Sequence, residues 1–135
     1  MPFVDLVDTL FAKLADGQTD KFFEHVWDNV TWTVHGTHAL AGVYRDKNTF
    51  LKNALGEVRK RLKGNWTLKI KNIIVSNYYD TAVVEMESLS VALNGKPFNN
   101  TYCWIVHFQR DVIVRVDAYV DSVLVQQLLD ENPID

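Results

Sequence analysis

Four alternating segments, Trp66 to Ser76, Thr81 to Leu93, Phe98 to Gln109 and Val112 to Val120, constrain this chain more than any other feature. Only residues 77–80, the "NGKP" of Asn94 to Pro97, and the "RD" of Arg110 and Asp111 separate them. Period-two runs rich in Val, Ile, Tyr and Trp with such punctuation predict four meandering antiparallel strands. "NGKP" is a hairpin signal, because Asn94 and Gly95 readily take the positive φ of tight turns.

The first half carries helical spacing instead. Phe3, Leu6, Val7, Leu10, Phe11 and Leu14 predict a helix that stops at Gly17. Thr19 or Asp20 caps a shorter second helix holding Phe22, Phe23, Val26 and Trp27. "VTWTVHG" then alternates strictly, which predicts a strand with Val30, Trp32 and Val34 on one face and Thr31, Thr33 and His35 on the other. After a loop, Asp46 caps a third helix with Phe50, Leu51, Ala54, Leu55, Val58 and Leu62 inward, and Asp121 caps a tail helix with Val123, Leu124, Leu128 and Leu129. Helices segregated from an antiparallel sheet predict an α+β fold, and a long sheet of that kind curls around its helices. A deep curl leaves a cavity on the concave side.

The 135 residues fit one domain, 1–135. The net charge of −3 argues against nucleic acid as a partner. Cys103 is the single cysteine, so an intrachain disulfide is excluded and a cytoplasmic location is the default. The start, MPFVDLVDTLFAKL, carries Asp5 and Asp8 within its apolar pattern and reads as part of the fold, not as a leader. No apolar run approaches the roughly 20 residues that cross a bilayer.

Four motifs resemble the SnoaL-like branch of the nuclear-transport-factor-2-like superfamily, which includes ketosteroid isomerase and limonene epoxide hydrolase. They are "VTWTVHG", "LAGVYRDKNTF", "NGKPFNNTYCWIVHF" and "VIVRVDAYVD". The resemblance implies a cone-shaped curved antiparallel sheet wrapped around the N-terminal helices, an apolar pocket, and a homodimer across the outer sheet face. It also implies cofactor-independent chemistry with no metal: isomerisation, cyclisation, hydration or dehydration of a small apolar organic molecule. The alternative is a non-catalytic binding or association module.

Carried over by position, the base of ketosteroid isomerase falls near Val34 and its oxyanion-hole acid on Val106, both apolar. The polar pair of limonene epoxide hydrolase falls on Trp32 and Val34, its arginine and aspartate on Glu85 and Glu87, and its second aspartate on Ala118. Neither catalytic set is complete. These registers turn Trp32, Val34, Asn100, Tyr102, Trp104, Val106 and Ala118 toward the pocket as ligand-binding residues, with Glu85 and Glu87 beside them.

Two enclosed carboxylates at positions i and i+2 repel each other and lose hydration, which suits a proton-moving role. Glu87, alone or with Glu85, is therefore the catalytic candidate. The competing account puts both on a solvated face, paired with Lys69 or Lys71, because Ala82, Val84 and Met86 make an equally apolar opposite face. "HGTH" offers His35 and His38 as metal-ligand types, but nearby residues do not complete a ligand set. Cys103 and His107 read as facing away from the pocket. Asp117 reads as a surface charge or a partner of Arg115, and the basic run of Arg59, Lys60, Arg61 and Lys63 as a solvated helix end.

Overall fold

The computed structural model describes residues 2–134. Helix α1 (Phe3–Ala15) forms on the expected stripe, with Val7, Leu10, Phe11 and Leu14 buried and Asp5 and Asp8 exposed. Helix α2 (Thr19–Phe23) stops before its apolar pattern does. Val26 already opens β1 (Val26–Val34), because the backbone there joins the sheet: Ile113 N–H donates to the His25 carbonyl at 2.8 Å. Trp27 is half exposed.

A short strand, β2 (Gly42–Tyr44), folds back on β1. The third helix begins at the predicted cap, where Thr49 N–H donates to the Asp46 carboxylate at 2.7 Å. It runs as α3 (Lys47–Phe50), widens to a π-helical turn over Leu51–Leu55, and ends as α4 (Gly56–Arg59). Gly56 makes the wide turn possible, since a Cβ there would stand 2.7 Å from the Leu51 carbonyl oxygen. Leu62, expected on this helix, lies in β3 (Leu62–Lys63).

The remaining strands are β4 (Leu68–Ser76), β5 (Thr81–Ser88), β6 (Ser90–Ala92), β7 (Pro97–Phe98), β8 (Thr101–Gln109) and β9 (Val112–Val120), followed by α5 (Ser122–Glu131). The main sheet has the order β2-β1-β9-β8-β5-β4, and a small one the order β3-β6-β7. The meander of β4, β5, β8 and β9 is antiparallel, as the alternation predicts, while β1 joins β9 in parallel and makes the sheet mixed.

The run from Thr81 to Leu93 divides at Leu89, whose N–H leaves the main ladder and donates to the Thr67 carbonyl at 3.0 Å. Beneath the break, the buried Ser88 hydroxyl donates to the Phe98 carbonyl at 2.7 Å and accepts from Asn100 N–H at 2.8 Å. The chain passes there from the large sheet to the small one.

The concave face packs Ala82, Val84 and Met86 of β5, Val106 of β8, and Ile113 and Val116 of β9 into one core with α1 and α2. Phe11 meets Phe22 edge to face at 5.1 Å, and both rings reach Trp104. An aromatic pair of this geometry adds about 0.5–1.5 kcal/mol beyond its buried area. Trp104 marks where the solid core gives way to a hollow. No helix among the described residues is long and apolar enough to cross a membrane.

Candidate functional site

The ladder between β5 and β8 decides which side chains face the hollow. Tyr102 stands opposite Met86, Trp104 opposite Val84, and Val106 opposite Ala82. Opposed residues of an antiparallel pair share a face. Glu85 and Glu87 stand opposite Cys103 and Thr101 on the convex face, which corrects the expectation that the acids point inward. Asn72 Nδ2 donates to Glu85 Oε1 at 3.2 Å, and Lys71 Nζ lies 3.9 Å from Glu87 Oε2. Both glutamates are surface groups with partners on β4. Alternation alone left this open because both faces of β5 are apolar.

Between the sheet, the third helix and α5 lies a cavity of about 70 Å³. Trp32 and Val34 of β1, Tyr102 and Trp104 of β8 and Ala118 of β9 line it, as their registers predict. Phe50, Ala54, Leu55 and Val58 form the helical wall, the π-helical turn presenting Ala54 and Leu55. A water needs about 10–15 Å³ on the same kind of measure, so the space takes a few heavy atoms. A larger molecule enters only if lining side chains move.

Two predicted pocket residues do not line it. Val106 is fully buried among the core side chains. Asn100, also fully buried, is spent on backbone: its Oδ1 accepts from Thr101 N–H at 2.8 Å and Asp121 N–H at 3.1 Å, and its Nδ2 donates to the Asp121 carbonyl at 3.2 Å. It joins the start of β8 to the cap of α5.

Sequence reasoning did not place Leu40, Trp66, Phe98 and Val125 in the wall, nor His38, its one histidine. The loop after β1 turns at Gly36, with φ +130°, where an added Cβ would stand 2.2 Å from Ser122 Oγ and 3.1 Å from His38 Cδ2. Thr37 N–H donates to Ser122 Oγ at 3.2 Å and Ala39 N–H to Gln126 Oε1 at 2.8 Å, tying the loop to α5. His38 is thereby held 6% exposed, between the cavity and an outer groove shared with Ser122 and Gln126. Its Nδ1 accepts from Leu40 N–H at 3.1 Å. Burial lowers its pKa, opposed in part by the His35 backbone carbonyl. "HGTH" was the available signal, but a metal site was the wrong question, since His35 and His38 end on opposite sides of the sheet.

Polar atoms in the wall are few. Trp66 Nε1 donates to the Tyr102 hydroxyl at 3.4 Å, and burial pushes the Tyr102 pKa up. Among the described residues, Trp32 Nε1 and His38 Nε2 are the buried side-chain nitrogens with no hydrogen-bond partner. Trp32 is 1% exposed and stacks on Phe50 at 4.0 Å. The wall includes no carboxylate among the described residues.

The convex face carries a separate cluster. His35 Nε2 donates to Asp117 Oδ1 at 3.0 Å, Arg115 approaches Asp117 Oδ2 at 3.2 Å, and His107 lies 3.9 Å from that oxygen. Burial works to raise the Asp117 pKa, but the His35 hydrogen bond and the Arg115, His35 and His107 charges hold it below the usual range. Burial and Arg115 lower the His107 pKa against the pull of Asp117. Cys103, on the same face, has its pKa raised by burial and then by the Glu85 charge, so it is no activated thiol. The basic run ends as a helix terminus, with Lys60 on Glu57 and Arg61 donating to the Glu57 and Asn132 carbonyls.

No family model matches the chain. The dimerizing cyclase phiC of a fungal species is 26% identical over 127 residues, covering 93% of this chain and 56% of that protein. The chain thus spans little more than half of that relative's length. Among crystal structures, an NTF2-like protein of Burkholderia thailandensis superposes with a TM-score of 0.77 at 18% identity, covering 96% of this chain and 98% of the other. PrhC of Penicillium brasilianum gives 0.76 at 12% identity, covering 95% and 85%. A protein of cystatin-like fold from Xanthomonas campestris gives 0.76 at 17% identity, covering 95% and 98%. The mixed curved sheet, its hollow and these superpositions agree with the motif resemblance: the chain has the nuclear-transport-factor-2-like fold.

Proposed function

We propose that the chain holds a small, largely apolar organic molecule in this cavity and carries out a cyclisation- or isomerisation-type reaction on it. The observation that carries the reading is a partly open, almost wholly apolar cavity walled by Trp32, Phe50, Trp66, Tyr102 and Trp104. The likeness to a dimerizing cyclase supports the reaction class. Trp32, Val34, Trp104 and Ala118 exclude water and shape the occupant, while Tyr102 and His38 orient it. Glu85 and Glu87 have no part in this reading. A homodimer across the convex face belongs to it, supported by the exposed Ile74 and Tyr119; a single monomeric species in sedimentation would remove that element.

The lack of a lining carboxylate favours a second reading, binding without proton transfer. Proton NMR of cyclohex-3-enone incubated with the protein separates the two. Conversion to the conjugated ketone above the rate in buffer, lost in folded Ala118→Phe, is the result expected of an enzyme. Binding without conversion leaves the second reading, and no binding removes both.

A further inference from the structure

We infer that the outer face of the small sheet is a docking surface for an anionic membrane, on which the chain lies without crossing it. Its parts are the aliphatic row of Leu89, Val91 and Leu93 and the cationic side chains of Arg59 and Lys63. The inference goes beyond the reading of the cavity and stands or falls apart from it.

The ladder of the small sheet fixes which side chains face out. Val91 of β6 stands opposite Lys63 of β3 on one side and Pro97 of β7 on the other, and all three are exposed. The alternate row of Leu62, Ser90, Ala92 and Phe98 is buried. Leu89 and Leu93 share the parity of Val91, and the three aliphatic side chains are 54%, 45% and 43% exposed respectively. Single apolar side chains on a surface are ordinary. Three of them at positions i, i+2 and i+4 make a continuous stripe, which marks a contact surface.

The stripe lies against the most basic stretch of the chain. From Glu57 to Lys63 four cations stand with one carboxylate. Lys60 and Arg61 share that carboxylate, while Arg59 and Lys63 are exposed. Leu93 N–H donates to the Arg61 carbonyl at 2.9 Å, which joins the end of the stripe to the basic run. On a chain of net charge −3, this gathers positive charge on one face and leaves the remainder more negative.

Aliphatic and cationic groups side by side match a bilayer of anionic lipid, whose headgroups meet the cations while the aliphatic side chains enter the boundary beneath. Two other occupants fit worse. A second copy would set like charges face to face. An extended peptide adds to a free strand edge, and β6 is already paired along both edges, with β3 and β7.

The test is co-sedimentation of the full chain with vesicles of phosphatidylserine and phosphatidylcholine in equal parts, and with vesicles of phosphatidylcholine alone. Expected is binding to the mixed vesicles that weakens as salt is raised, and at least roughly tenfold weaker binding to phosphatidylcholine. Arg59→Gln with Lys63→Gln is expected to weaken binding roughly twenty-five-fold, about fivefold for each cation. Leu89→Ser with Leu93→Ser is expected to weaken it at least about tenfold while the salt dependence stays, since the charges remain. Tyr78→Ser with Tyr79→Ser, at the exposed turn between β4 and β5, is expected to leave binding unchanged. Every side chain replaced is exposed, so the variants keep the fold, which circular dichroism checks.

No binding to the mixed vesicles, equal binding to both compositions, or binding that survives both the cation and the leucine variants would overturn the inference. So would a loss of binding in the tyrosine variant alone.

Discussion

Glu87 faces Lys71 across 3.9 Å on a partly open surface, and exposed pairs of this kind contribute about 0–1 kcal/mol. Glu87→Gln and Glu85→Gln are expected to change the unfolding free energy, read from urea melts, by no more than that and to leave any turnover unchanged. A loss of turnover in either variant would return the acids to the chemistry. His38 and His107 give stability a definite pH sign. Each has a folded pKa below the ordinary value of 6.5, through burial in both cases and Arg115 as well for His107. Between those values the unfolded chain binds more protons, so stability falls as pH drops through about 6.5 and levels off below the folded values. Asp117 acts in a lower window, its contribution fading only as pH falls below the usual carboxylate range. Thermal melts from pH 8 to 5 are expected to slope downward toward acid, and less steeply in His38→Asn. Equal slopes would mean that His38 is not held neutral by the fold.

At the scale of elements, junctions carry the specificity. Asn100 satisfies two backbone N–H groups and one carbonyl where β8 meets the cap of α5. Asn100→Ala strands them and is expected to cost about 2 kcal/mol in urea unfolding. Asp121→Ala, which removes only the cap over Val123 and Leu124 N–H, is expected to cost about 1 kcal/mol. The reverse order would show that Asn100 is not the staple. The helical wall depends similarly on Gly56: an alanine there must displace the Leu51 carbonyl. Gly56→Ala is expected to destabilise and to shift the methyl resonances of Leu55 and Val58, two cavity-wall residues on either side of it. Caps and turns were legible because Asp46, Asp121 and "NGKP" act on neighbours a few residues away. The break at Leu89 was not, since its amide finds Thr67, a distant partner just ahead of β4.

For the whole molecule, Trp104 joins the two regimes of the interior. It touches Phe11 and Phe22 on the filled side and Trp32 and Trp66 on the hollow side. Trp104→Ala is expected to cost about 3–5 kcal/mol, the range for large aromatic truncations in a core, as read by calorimetry. It also enlarges the cavity, so methylenecyclohexane is expected to bind the folded variant at least as well as the wild type.

The residues by themselves determined the meander, the stripe of α1, the caps at Asp46 and Asp121 but not that of α2, which starts after Gln18, and the inward faces of β1, β8 and β9, because period and local capping are properties of adjacent side chains. Trp32, Val34, Tyr102, Trp104 and Ala118 were accordingly readable as cavity wall. Which face of β5 enters the core was decided only by the register that sets Met86 against Tyr102, since Ala82, Val84 and Met86 compete in pattern with Val83, Leu89 and Val91, which share the parity of the two glutamates. The loop that delivers His38 was likewise settled by α5, through Ser122 and Gln126, which lie some 85 positions further along the chain. Burial and hydrogen-bond satisfaction depend on what distant segments bring alongside, and a linear pattern does not carry that.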